Sequence, residues 1–127
     1  MSKKIVTSEQ APKPIGPYSQ AVRAGDFLYV SGQIAIDAVS GELKTTDIVT
    51  ETKQVMENIR AILEAGNMKF KHVVKTTIFL KSMDDFAKVN EIYGVYFPDA
   101  PPARETVQVS KLPRDVNVEI SVIAYKN

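Results

Sequence analysis

VNVEISVIAY, residues 116–125, decides the fold by its alternation. In an extended chain Val116, Val118, Ile120, Val122 and Ala124 fall on one side, and Asn117, Glu119, Ser121, Ile123 and Tyr125 on the other. The first side is the face of a strand that packs on helices. The second carries an acid in its middle. Surface acids are common on exposed strand faces, so Glu119 either meets water or lines a site. Ile123 and Tyr125 continue its side in apolar character, so that face is not simply wet.

Two elements upstream have helical rather than strand periodicity. After Asp47, an N-cap residue type, Ile48, Val55, Met56, Ile59, Ile62 and Leu63 form one stripe that stops at Gly66. SMDDFAKVNEIYGVYF, residues 82–97, begins with a capping-box pattern at Ser82 and Asp85, and Phe86, Val89, Tyr93 and Phe97 make its stripe. Pro98, Pro101 and Pro102 end it. Further strands are expected at KKIVT (3–7), on both sides of a Gly25–Asp26 turn with FLYVSGQ (27–33) as the second arm, at VVKTTIFLK (73–81) and at TVQVSKL (106–112). APKPIGPYSQA (11–21) is a loop, because Pro12, Pro14 and Pro17 remove backbone donors.

The order β, ββ, α, β, α, ββ is that of an α+β architecture: a mixed sheet with two amphipathic helices on one face. Two helical stripes cover only one side of a sheet. The other side, expected to carry Thr77, Gln108, Glu119 and Tyr125, needs water or another subunit.

The chain of 127 residues is expected to form a single domain, 1–127, long enough to bury roughly two thirds of its unfolded surface. Its 16 basic and 15 acidic residues leave a net charge of +1, which argues against a large nucleic-acid or anionic-membrane footprint. With no cysteine there are no disulfides, thiolate nucleophiles or cysteine-based metal sites. MSKKIVTSEQ opens without an apolar stretch of signal-peptide length, and no run approaches a membrane span, so a cytoplasmic protein is the simplest expectation.

Dinucleotide, phosphate-loop, zinc-protease and serine-hydrolase signatures are absent. His72, the only histidine, lies between lysines and reads as a surface residue; one imidazole makes no triad and no multi-histidine metal site. Chemistry falls to carboxylate, guanidinium, hydroxyl, amide or backbone groups. Arg104, where PPAR opens into a strand, could grip a substrate carboxylate by two parallel hydrogen bonds, or could pair with Glu105 or Asp99 as a surface arginine. Alternation places Thr106 and Gln108 on its side and turns Glu105 away. Asn90 sits at the margin of its helix's stripe and needs partners if buried. Tyr18 and Ser19 follow Gly16 and Pro17 in the loop, and Ser31–Gly32 near a strand end could present a hydroxyl and an N–H to a ligand.

Read in order, IGPYSQA (15–21), YVSGQI (29–34), VVKTTIFL (73–80), FAKVNEIY (86–93), PPARETV (101–107), LPRD (112–115) and VEISVIA (118–124) resemble the RidA family, also called YjgF, from end to end. The resemblance implies a chorismate-mutase-like fold and a homotrimer whose three sheets face inward as a barrel. It implies hydrolysis of reactive 2-imino and 2-enamino acids, such as 2-iminobutanoate and 2-iminopropanoate, to 2-keto acids and ammonia. No cofactor or metal is called for, since a protonated imine is already electrophilic. A non-catalytic metabolite-binding or regulatory role in the same clefts is the alternative; a ribonuclease role fits the charge balance poorly.

Under that resemblance Arg104 binds the substrate carboxylate and Glu119 orients or activates the attacking water. Tyr18, Ser31, Gly32 and Asn90 line the cleft, and the Thr106 backbone helps place the imine nitrogen or the water. Two positions depart from many relatives, which carry cysteine in place of Thr106 and serine in place of Glu105. Should Glu105 pair with Arg104, carboxylate binding would weaken.

Overall fold

The structure, a computed structural model, describes residues 2–127. It comprises β1 (Lys4–Val6), β2 (Ala21–Ala24), β3 (Phe27–Gln33), α1 (Ile48–Ala65), β4 (Val73–Leu80), α2 (Phe86–Val95), β5 (Ala103–Gln108) and β6 (Val118–Tyr125). The six strands form one sheet in the order β1-β2-β3-β6-β4-β5, antiparallel except for the β4–β5 pair.

β6 is central, between β3 and β4, and its alternation is the reason: Val118, Ile120, Val122 and Ala124 are all buried under the helices. Each full Val or Ile burial is worth about 1.5–3 kcal/mol. Val116 does not continue this face, because the strand starts only at Val118 after a tight turn. It packs instead with Ile34, Ile36 and Leu112 in a second, smaller apolar cluster.

Helix α1 starts as its sequence requires, with the Asp47 carboxylate accepting from Thr50 N at 2.8 Å. Val55, Met56, Ile59, Ile62 and Leu63 face the sheet and are fully buried. Ser82 and Asp85 do not form the expected capping box: Ser82 caps a single 3-10 turn at Met83–Asp85, and α2 begins at Phe86. Val89 and Tyr93 then pack on the sheet, and the Tyr93 hydroxyl donates to Thr76 Oγ1 at 3.0 Å. Gly25, at φ 60°, makes the β2–β3 turn where expected.

Both helices lie on one face. The opposite face carries Phe27, Tyr29, Val107 and Tyr125 exposed, with Phe27 and Tyr125 rings 5.0 Å apart. Thr77, Glu119 and Tyr125 are on this open face as expected. Gln108 is not: β5 runs parallel to β4 with Gln108 in register with Leu80, so it shares the helix side, where its Oε1 accepts from Met83 N at 2.8 Å.

Candidate functional site

The sequence-derived residues assemble into two groups on opposite faces of the sheet. Glu119 pairs across β4 with Phe79, whereas Arg104 is in register with buried Thr76. Residues in register share a face, so the two side chains point to opposite sides.

The first group surrounds a cleft of about 440 Å³ on the open face, lined by Tyr18, Ser31, Gly32, Pro113 and Glu119 among others. Two devices shape it. Pairing between β3 and β6 slips between Val30 and Gln33, so Ser31 and Gly32 sit in a bulge. Glu119 lies directly over Gly32: a Cβ there would come within 2.9 Å of its carboxyl carbon and closer still to Oε2. Glycine is thus what lets the carboxylate in.

No described residue donates a hydrogen bond or ion pair to that carboxylate, and burial raises its pKa above the ordinary value. A half-buried acid held without a partner is the kind of arrangement that functional sites carry. Ser31 Oγ donates to Ser19 O at 2.6 Å, so its lone pairs remain for the cleft. The Tyr18 hydroxyl accepts from Ile15 N at 3.3 Å, leaving its proton to give.

The loop wall is latched by Gln20, a buried amide that accepts from Ser8 N at 2.6 Å and donates to Ser8 O, Ala11 O and Pro12 O at 3.2, 3.4 and 2.9 Å. Sequence reasoning missed it. The signal available was a polar residue preceded by prolines and followed by the β2 strand, which is too weak to stand alone.

The second group sits on the helix side at the sheet edge. Arg104 donates to Asn90 Oδ1 at 2.7 Å and lies over the rings of Tyr93 and Phe86, 5.1 and 5.8 Å from their centroids. It pairs with neither Glu105 nor Asp99. Asn90 is exposed, so burial does not demand this partner, and the other guanidinium donors stay available. Arg104 and Asn90 line a second cleft of about 430 Å³ with Pro101 and Pro102.

Thr106, two residues along the same side, buries a hydroxyl that no described residue satisfies. Glu105 turns to the open face, where Thr77 Oγ1 donates to it at 2.6 Å and Lys75 Nζ pairs with it at 3.1 Å. Those two contacts, the threonine's first, hold its carboxyl below the ordinary range. Glutamate in place of serine at this position therefore leaves Arg104 free. His72 lies elsewhere, its Nδ1 accepting from Lys69 N at 2.9 Å.

Among the described residues no three His, Asp or Glu side chains group as metal ligands, and no helix is long and apolar enough to cross a membrane.

Residues 8–126 match the family described as endoribonuclease L-PSP. The chain is 55% identical over 124 residues to a RutC family protein of Pyrococcus horikoshii, covering 98% of each. It is 47% identical over 122 residues to the 2-iminobutanoate/2-iminopropanoate deaminase of Mus musculus, covering 96% of this chain and 90% of the mouse protein. Among solved structures, E. coli TdcF with bound serine superposes with a TM-score of 0.94 at 36% identity, over 98% of this chain and 99% of that one.

Proposed function

Because the chain belongs to the endoribonuclease L-PSP (RidA/YjgF) family, we propose that it hydrolyses reactive 2-imino and 2-enamino acids to 2-keto acids and ammonia. The observation that carries this reading is the Glu119 carboxylate, held unpaired and half-buried over Gly32 in a cleft of a size for a small organic acid.

A carboxylate whose pKa is raised by burial is a stronger base toward water than an ordinary glutamate. The substrate carboxylate needs a cation too; the Glu119 cleft offers Lys13 but no arginine among its described lining residues, and a lysine lacks the planar fork that grips a carboxylate by two parallel hydrogen bonds. Arg104 is on the other face of its own sheet. The two halves can act on one substrate only if they come from different copies of the chain, with the Arg104–Asn90 edge of one docked against the open face of the next. A homotrimer closed by this repeated contact is the assembly proposed. It would also cover Phe27, Tyr29 and Tyr125.

In such a cleft Arg104 grips the substrate carboxylate, and Tyr18, Ser31 and Asn90 line the remainder. Water held by Glu119 adds through its oxygen to C2 of the protonated imine while the C=N electron pair moves to nitrogen and Glu119 takes the water's proton. That proton passes to the amine of the resulting carbinolamine. The C–N bond breaks with its electrons going to ammonia, and loss of the hydroxyl proton leaves the 2-keto acid. In this reading the Thr106 backbone holds the imine nitrogen or the water. Orientation and proton transfer are the contributions asked of the protein.

The test is to generate 2-iminobutanoate in situ with a threonine dehydratase and follow keto-acid release. Acceleration proportional to added protein is expected; none at any concentration overturns the reading. The E. coli TdcF structure holds bound serine, which favours as second reading a module that holds small amino acids without turning them over. Saturable serine binding with no imine hydrolysis would establish that one instead.

A further inference from the structure

Glu51 is the residue whose burial neither composition nor motif accounts for. It stands in the first turn of α1, where acids are ordinarily solvated, yet it is 0% exposed. Its Oε2 accepts from Asn117 N at 2.8 Å and Val118 N at 3.2 Å, and its Oε1 from Asn117 Nδ2 at 2.7 Å. All of these donors belong to the two residues just before Glu119.

The segment it holds needs holding. Arg114 and Asp115 both have positive φ, 55° and 56°, in the left-handed region that side chains other than glycine avoid. Such a turn persists only where its surroundings over-determine it. On one side Lys81 N donates to Asn117 O at 2.9 Å and Lys81 Nζ pairs with Asp115 at 3.1 Å. On the other stands the Glu51 carboxylate. Pro113, at the start of the turn, and Glu119, just past its end, both line the open-face cleft.

We propose that Glu51 is a positioning residue: its buried carboxylate clamps Asn117 and Val118 so that the strained turn and β6 present Pro113 and the Glu119 carboxylate to the same cleft. Strand alternation makes the placement sensitive, since a slip of one residue would send Glu119 to the helix side. The kinetic arm of this inference rests on the deaminase reading; the structural arm does not.

The experiment compares Glu51→Ala and Glu51→Gln with wild type by keto-acid release across pH and, independently of activity, by carboxyl-carbon NMR titration of Glu119. Glu119 shares its cleft with Lys13 and Tyr18 from the N-terminal loop, and its cross-strand neighbour on β4 is the neutral Phe79. None of these is altered by the substitutions.

Glu51→Ala is expected to lower kcat by about tenfold or more with a smaller change in KM, and to move the Glu119 titration and the acid limb of the rate profile down toward the ordinary glutamate range. Glu51→Gln keeps an acceptor for the two backbone N–H groups and is expected to recover most of the rate. A folded Glu51→Ala protein with wild-type kcat and an unmoved Glu119 titration overturns the proposal. If Glu51→Ala fails to fold, Glu51→Asp decides, because its carboxylate keeps the charge but falls one methylene short of the Asn117 and Val118 N–H groups: a downward shift of the Glu119 titration supports the clamp, and none overturns it. Should wild type itself not accelerate imine hydrolysis, the deaminase reading fails while the titration still tests the clamp.

Discussion

Gly32→Ala separates the position of the Glu119 carboxylate from its mere presence. Gly32 does not have a positive φ, so its backbone accepts a side chain. The added Cβ would meet the Glu119 carboxyl carbon at 2.9 Å and Cγ at 3.1 Å, against an ordinary contact of 3.4–4 Å. The carboxyl carbon must retreat by at least 0.5 Å, and Oε2 by more. The obstructed group is the end of a flexible side chain facing a cleft, so the fold can absorb the change. Removing a glycine from a strand even restricts the unfolded chain, by about 0.4–1 kcal/mol.

Catalysis has no such slack: a displacement near 1 Å costs about 100-fold, equivalent to about 2.7 kcal/mol of barrier. Gly32→Ala is thus expected to melt within a few degrees of wild type and to lose about 100-fold in kcat/KM for 2-iminobutanoate. A variant that melts normally and retains the wild-type rate would refute the claim that Glu119 works from its place over Gly32.

Glu119→Gln should lose about 100-fold or more in kcat, checked by the same assay. Since burial raises the Glu119 pKa in the folded state, its protonation favours folding: that contribution is complete below the unfolded glutamate pKa and is lost as pH rises through the folded one. Glu119→Gln should therefore match wild type in stability at acid pH and exceed it at neutral pH in calorimetry; a lower neutral melting temperature contradicts this. The wild-type rate should fall on the acid side at a pH above the ordinary glutamate range. Arg104→Ala should raise KM about 10- to 100-fold or abolish turnover while leaving the oligomer intact by light scattering, and Arg104→Lys should recover little, because an ammonium cannot reproduce the planar fork. Gln20→Ala strands buried backbone groups of residues 8–12 and should cost about 2–3 kcal/mol in urea unfolding.

Much of this was legible in the sequence. Val118, Ile120, Val122 and Ala124 marked a central strand because apolar residues at every second position bury together only in an extended chain. The stripe from Ile48 to Leu63 marked α1 by the same logic at the helical period. Asn90, expected to need a partner only if buried, is exposed, and it accepts a hydrogen bond from Arg104 all the same.

What alternation could not give was the phase of one strand against another. It placed Glu119 correctly, but it put Arg104 ahead of a strand expected at 106–112 and on the side of Gln108, hence on the open face; β5 instead starts at Ala103 and runs parallel to β4, which turns Arg104 to the helix side. Gln108 was misplaced for the same reason. Glu51 was invisible because its partners lie 66 and 67 residues away, and because the helix dipole already gives an acid in a first helical turn a local role. The bulge at Ser31–Gly32 left only one trace in the sequence, a glycine near a strand end.

The central claim is that Arg104 and Glu119, on opposite faces of one sheet, serve the same substrate from different copies of the chain. Mixing the two single-residue variants tests it most directly. Arg104→Ala and Glu119→Gln proteins, each inactive alone, are to be co-refolded in equal amounts and assayed on 2-iminobutanoate. If each site takes its arginine from one subunit and its glutamate from the next, random assembly restores about a quarter of the sites, and activity should return to about a quarter of the wild-type value. Mixed oligomers that form and remain inactive would contradict the account.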